Sequence, residues 1–375
     1  VRVSENQWAL SNVGATWTER TAAGSRNWLS VSLSSDGKYQ TAVVGGGYIY
    51  TSSDYGATWT ERTGAGSRNW YSVSLSSDGK YQTAVVWNGY IYTSSDYGAT
   101  WTARTGAGSR WWYSVSLSSD GKYQTAVVSG GYIYTSSDYG ATWTARTGAG
   151  SRNWLSVSLS SDGKYQTAVV GGSYIYTSSD YGATWTARTG AGSRYWRSVS
   201  LSSDGKYQTA VVMYGGYIYT SSDYGATWTA RTGAGSRDWL SVSLSSDGKY
   251  QTAVVYEYDG YIYTSSDYGA TWTARTGAGS RWWSSVSLSS NGKYQTAVVS
   301  GGYIYTSSAD SYIYGGNVGI GTTTPTAKLT VTQSGTGDIV EFKDGSNSVF
   351  AISDGGNVAI SNITATTGSA FSVSR

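Results

Sequence analysis

The octapeptide SSDYGATW at residues 52–59 decides how this chain is read, because it keeps coming back. Its aspartate recurs at Asp54, Asp96, Asp138, Asp180, Asp223 and Asp267, with spacings of 42, 42, 42, 43 and 44 residues. A weaker copy, LSNVGATW, starts at Leu10 with Asn12 in the acidic position, and a broken one, SSADSYIY, starts at Ser307. Self-similarity at a period in the low forties means that one supersecondary unit is stacked again and again.

Around that turn each unit reads as four strands. SVSLS alternates apolar and small polar residues, as a half-buried strand does. SDGK then supplies turn chemistry, since Asp-Gly accepts positive φ. YQTAVV is a β-branched second strand, YIYTSS a third, and TWTART, after the octapeptide's turn, a fourth. Nothing sustained has helical spacing, so the class is all-β, and four strands per unit predict a β-propeller. The first and second strands each occur seven times. The first GATWT, at residues 14–18, precedes any complete unit, whereas the last unit loses its own copy after Ser308. An N-terminal strand therefore closes a seven-bladed ring and leaves no open edge. QWALS near Gln7 and YIYTS at Tyr303 compete for the third strand of the closing blade. Residues 1–311 form the propeller, and residues 312–375 a small β-rich segment of another kind.

Composition narrows the functional classes. Charged residues make up 13% of the 375, and the net charge is +3 with no Lys/Arg cluster, which gives no electrostatic case for nucleic acid or an anionic membrane. Cys and His are both absent, so thiolate chemistry, disulfides and imidazole ligands are excluded. No cofactor and no metal site is expected. No apolar run approaches the ~20 residues of a membrane-spanning helix, and the opening residues lack the pattern of a secretory leader.

The copies differ in two places. The residues flanking the Trp of each R-x-W read Asn27/Leu29, Asn69/Tyr71, Trp111/Tyr113, Asn153/Leu155, Tyr195/Arg197, Asp238/Leu240 and Trp282/Ser284. The connection between second and third strands varies as well. It carries Trp87 and Asn88 in the second copy, Met213 and Tyr214 in the fifth, and Tyr256, Glu257, Tyr258 and Asp259 in the sixth. Strand direction alternates within a blade, so both places fall on one rim, while SSDGK and SSDYGATW share the other. The candidate ligand-binding residues are Asn27, Leu29, Asn69, Tyr71, Trp87, Asn88, Trp111, Tyr113, Tyr195, Arg197, Met213, Tyr214, Asp238, Tyr256, Glu257, Tyr258, Asp259 and Trp282. Rigid aromatics beside adaptable hydrogen-bonding groups are the palette of a recognition surface; the alternative is tolerated drift in surface loops. The constant Trp, as at Trp28 or Trp196, is expected to pack between blades, and the constant Arg, as at Arg26 or Arg194, to hydrogen-bond loop carbonyls.

The motif S-x-D-x-G-x-T-W resembles the Asp-box (BNR) repeat, whose family includes sialidases, sortilin-type receptors, xyloglucanases and photosystem assembly factors. That resemblance covers roughly residues 5–310 and speaks to fold rather than function. It implies that the aspartates accept hydrogen bonds from their own hairpins, that Gly56 and its equivalents supply the unusual backbone angle, and that Trp59 and its equivalents plug the space between blades. Sialidases of this family use an arginine triad, a Tyr nucleophile with a Glu, and an Asp acid. Here the rim arginines come one per blade with Arg197 added, and the non-repeated carboxylates are Asp238, Glu257 and Asp259, so the expectation is a non-catalytic protein. A sialidase-like hydrolase using Asp238 and Glu257 is the alternative.

Past Tyr314, GNVGIGTTTPTAKLTV and DGGNVAIS resemble stalk segments of phage tail fibres and bacterial surface proteins, over residues 315–362. The resemblance implies a homotrimer or fibre through the C-terminal segment, on a virion, at a cell surface or in the extracellular space. The expected function is adhesion or recognition of a surface glycan or protein receptor, without membrane insertion. A structural filament subunit is the other alternative.

Overall fold

The computed structural model describes residues 7–11 and 13–314 and, further along, the strands Val318–Ile320, Leu329–Val331, Val340–Asp344, Asn347–Ile352 and Val358–Ile360. Contacts divide the chain into two compact units, Leu10–Asp310 and Val1–Ala9 with Ser311–Arg375.

The larger unit is a ring of four-stranded antiparallel blades, seven in number. In the first blade the inner strand Arg26–Leu33 pairs with Gln40–Gly47, that with Ile49–Ser52, and that with the short outer strand Thr60–Arg62. The last blade takes Trp283–Leu288, Tyr294–Gly302 and Ile304–Ser308 from the end of the repeats and its outer strand, Thr18–Arg20, from the beginning. Thr18 lies opposite Thr306 and Arg20 opposite Ile304, so the start of the chain closes the ring. The competition for the third strand is resolved in favour of Ile304–Ser308, which follows its hairpin partner directly and buries Ile304 completely. Gln7–Ser11 pairs instead with Asp310–Tyr314 in a two-stranded sheet.

In the smaller unit Val318–Ile320 and Leu329–Val331 pair in parallel, and Val340–Asp344, Asn347–Ile352 and Val358–Ile360 form an antiparallel sheet. The rest of the stalk-like stretch lies outside the described residues.

The propeller's apolar core is not central but sits in seven clusters, each shared by two neighbouring blades. Val43 and Ile49 of the first blade, for instance, pack against Trp70, Val73, Leu75, Ala84 and Val86 of the second. Stacking between neighbours buries the second strand on both faces, which is why QTAVV reads as a continuous run rather than an alternation. The R-x-W tryptophan is the largest filler and is fully buried in every blade. Trp70, for example, meets Tyr92 edge-on at 4.9 Å between centroids. Arg26 donates from Nε to the carbonyl of Ala23 at 3.0 Å, with its guanidinium 4.8 Å from the Tyr50 ring, so this arginine is a loop clamp.

Two polar rings bind blade to blade. The Thr41 hydroxyl donates to Gln82 Oε1 at 2.7 Å, and the link repeats around the circle until Thr296 donates to Gln40 at 2.7 Å. Each of these buried groups is thereby satisfied, as a dry interface requires. At one mouth the amide of Ser35 donates to the carbonyl of Ser77 at 2.8 Å, and five more such bonds lead to Ser290, which donates back to Ser35 at 2.8 Å.

The outer edge departs from expectation. The fourth strand is three residues long, and a 3₁₀ turn, Thr63–Ala65, comes directly after it. Trp59 therefore precedes the strand; it packs, as expected, against the cluster shared by the first and last blades, but is only half-buried there. Its indole N–H donates to the carbonyl of Gly56 at 3.1 Å.

In the octapeptide's turn both Tyr55 (φ 61°) and Gly56 (φ 78°) are left-handed, so the glycine does not carry the bend alone. A tyrosine in that region costs about 1 kcal/mol; its amide bonds to the Lys38 carbonyl and its ring lies 4.5 Å from that of Tyr294 on the neighbouring blade, which offsets the strain. Asp54 accepts from the Thr58 amide at 2.9 Å, the Thr58 hydroxyl at 2.6 Å and the Ser52 hydroxyl at 2.7 Å. Partial burial pushes its carboxyl up, but hydrogen bonds from Thr58, Ser52 and the Ala57 amide together outweigh that and hold it below the usual carboxylate range. Asp96, Asp138, Asp180, Asp223 and Asp267 behave alike. A folded-state value below the unfolded one, about 3.9, gives stability that is present above that pH and lost as pH falls through the folded value. A chain with all six aspartates changed to Asn should melt lower than the wild type at pH 7, and the gap should close as pH drops below about 4. Melting curves from pH 7 to pH 2 check this; a gap constant across that range would remove the carboxylates from the account.

The candidate ligand-binding mouth

The first residue to place is the one directly after each buried tryptophan. Trp28 lies opposite Val44, yet Ser30 lies opposite Val43, so Leu29 is an extra residue in the inner strand. The same slip occurs at Tyr71, Tyr113, Leu155, Arg197, Leu240 and Ser284. Such a β-bulge takes a residue out of the ladder and re-aims its side chain. Six of the seven, all but Leu155, line a cavity of about 260 Å³. Tyr195, Met213, Tyr214, Tyr256 and Ser300 complete its wall.

Eight of the residues expected from sequence thus come together: Leu29, Tyr71, Tyr113, Tyr195, Arg197, Met213, Tyr214 and Tyr256. Leu240, Ser284 and Ser300 also line the cavity and were not among the candidate residues, although Leu240 and Ser284 belong to the same varying pairs as Leu29. Their position after, or opposite, the same tryptophan station was the signal that could have found them.

The residue before each tryptophan does different work. It pairs across the junction with the preceding blade, at the residue that begins that blade's variable connection. Asn27 lies opposite Ser300, Asn69 opposite Gly45, Trp111 opposite Trp87, Asn153 opposite Ser129, Tyr195 opposite Gly171 and Trp282 opposite Tyr256. The two variable segments, far apart in each copy, therefore meet between neighbouring blades. Trp87 and Trp111 stack with centroids 5.7 Å apart and planes 4° from parallel. Asn27 Oδ1 accepts from the Ser300 hydroxyl at 2.8 Å. Asn27, Asn69, Asn88, Trp111, Tyr258, Asp259 and Trp282 are exposed and stand outside the cavity lining, Tyr258 at 84%.

Charge is sparse here. The guanidinium of Arg197 sits 4.9 Å from the centroid of Tyr113, two blades away, and neither ion pair among the described residues includes it. Burial pushes the Tyr113 hydroxyl up to about 12, against the pull of that cation. Asp238 Oδ1 accepts the Gly215 amide at 2.9 Å, and Glu257 accepts the amide of Asp238. Both carboxylates thus tie loops together, and neither lines the cavity. Among the described residues no group of three or more acidic side chains could hold a metal ion.

The opposite mouth is uniform. A second cavity there, about 160 Å³, is lined by Leu33, Ser34 and Ser35 and by the same Leu and Ser positions of the other blades. One mouth repeats and the other varies.

No protein-family model matches this chain, and no curated protein does. Solved structures place the fold among β-propellers. YCF48 from Cyanidioschyzon merolae is 18% identical with a TM-score of 0.61, covering 78% of this chain and 99% of its own. A structure of YCF48 bound to D1 peptide is 16% identical with a TM-score of 0.61, over 82% of this chain and 99% of its own. The GH74 xyloglucanase Xcc1752 of Xanthomonas campestris is 13% identical with a TM-score of 0.59, over 80% of this chain and 54% of its own. At these identities the likeness is one of architecture, and it spans binders and an enzyme alike.

Proposed function

We propose that this protein is a non-catalytic recognition module that takes a surface glycan at its variable mouth. One observation carries the reading: the positions where the blades disagree gather around one cavity, while the other mouth repeats the same leucines and serines. Tyrosine and tryptophan faces suit the apolar faces of sugar rings, and Arg197 and the asparagines suit hydroxyls. Asp238 and Glu257, occupied with loop amides, support a site without general acid–base chemistry. A protein partner is the second reading, favoured by a likeness in fold to YCF48, which has been solved with a peptide. The turn motif fits Asp-box kinship. The C-terminal segment fits a stalk that joins three chains in an extracellular or virion setting, which the mass of the full chain by light scattering tests.

The full chain on a glycan array should give a discrete set of positives. Arg197→Ala, which leaves the ladder bonds of its bulge untouched, should weaken them by about thirtyfold, as loss of a central anchor does. A silent array together with specific capture of a protein would transfer the site to the second reading.

A further inference from the structure

The seven junctions at the variable mouth are not alike, and their order around the ring is informative. Three pair asparagine with serine or glycine. Between the last and first blades Ser300 meets Asn27, between the first and second Gly45 meets Asn69, and between the third and fourth Ser129 meets Asn153. Trp87 and Trp111 stack between the second and third blades. On the other side Tyr195 meets Gly171 between the fourth and fifth blades and is packed at 4.7 Å by Tyr214 of its own blade. Tyr256 meets Trp282 at 4.8 Å between the sixth and seventh. Tyr195, Met213, Tyr214 and Tyr256 together line that side of the cavity. The connections of the fifth and sixth blades, which sit on that side, are also the longest.

The aromatic junction at Trp111 is therefore flanked on both sides by asparagine junctions, and the tyrosine-lined side of the cavity faces it across the axis. This is the plan of two walls and two gaps, with the cavity between them. We infer that the mouth is a trough open at both ends, and that its occupant is a linear, neutral polysaccharide lying across the ring with an interior residue over the cavity. The inference rests on the glycan reading above.

Several features favour this occupant. Stacked, partly exposed indoles present flat apolar faces, which suit successive pyranose rings along a chain better than one terminal sugar. Trp111 keeps 53% of its surface exposed although one face is covered by Trp87, so the other face is open. Asparagine side chains at the gaps both donate and accept, matching sugar hydroxyls where the chain would enter and leave. Backbone groups at the mouth are committed to pairing from blade to blade, which leaves no strand edge for an extended peptide to join. Arg197 is the one charged residue in the cavity lining, and Asp238 and Glu257 stand on the same mouth, so there is no cluster of positive charge to select an acidic chain.

Calorimetry with the full chain tests this, using gluco-, manno- and xylo-oligosaccharide ladders in β-1,4 linkage, from disaccharide to octasaccharide. Affinity should rise at least tenfold between disaccharide and hexasaccharide, and capping both ends of the hexasaccharide should change it less than twofold. Trp111→Ala, whose melting curve should stay close to that of the wild type, should lower hexasaccharide affinity by about tenfold and leave the disaccharide nearly unchanged. Binding that is already complete at the disaccharide, or abolished by capping, would mean end-on entry; it would overturn the trough while the recognition reading stands. Silence of every ladder alongside positives for branched or acidic glycans would likewise overturn only the trough. Silence of ladders and array together would remove the glycan reading as well.

Discussion

A chain lacking residues 1–20 is expected to lose the closed ring and to associate. That deletion strips the last blade of Thr18–Arg20 and leaves Ile304–Ser308 as an unpaired edge. It also removes Val13 from its cluster and Trp17 from beside Trp283, where the ring centroids are 6.4 Å apart. Arg20 no longer donates to Thr306, and Glu19 no longer accepts from Tyr305 or pairs with Arg281. The ion pair is half-exposed and contributes little. The apolar burial and the strand hydrogen bonds together are on the order of 5 kcal/mol, comparable with the whole stability of many domains. An open, apolar strand edge then recruits another chain. Size-exclusion chromatography with light scattering should show oligomers or aggregate, and a synthetic peptide of residues 10–24 added in trans should restore the original species. A deletion variant that stays in its native assembly and melts normally would show that the ring does not depend on this closure.

Trp196→Ala is expected to be the most damaging single substitution of its kind. Trp196 is fully buried, meets Tyr219 edge-on at 4.9 Å, and belongs to a cluster that joins the fourth and fifth blades. Truncation leaves a cavity at a junction where neither blade can collapse without moving its whole sheet, so the cost should be about 3–5 kcal/mol. In a propeller of this size that corresponds to a fall in melting temperature on the order of 10 °C. Trp111, half-exposed and stacked only on Trp87, should cost about 1 kcal/mol on the same change. Equal losses at the two positions would contradict the division between wall and mouth.

The ring itself was legible because every link in it is periodic. SVSLS, QTAVV and the SSDYGATW turn return every 42 to 44 residues, and the copy of GATWT at residues 14–18, ahead of any complete unit, matches the one missing after Ser308. What was harder to read is the bulge. Within the inner strand the buried positions are Trp28, Val31 and Leu33, a spacing of three and then two. Strict alternation would have put residue 29 on the buried face; the odd interval is the trace of the extra residue, and it explains why Leu29 and its equivalents turn toward the cavity. The loop roles of Asp238 and Glu257 could not be read, since they depend on amides brought near only by the fifth- and sixth-blade connections. Nor could the shortness of the outer strand. TWTART carries strand propensity throughout, and the 3₁₀ turn at Thr63–Ala65 is closed by the Gly66 amide donating back to the Thr63 carbonyl.

A bulge residue exchanges no ladder bonds with its neighbours, so the sheet has no say in what it is. Leu29, Tyr71, Tyr113, Arg197 and Leu240 occupy equivalent stations with unrelated chemistry, and the strands around them keep the same register. Evolvability comes from that geometry. Side-chain chemistry at the entrance can be rewritten one letter at a time, without renegotiating folding, in the way that interchangeable type is set in a fixed frame.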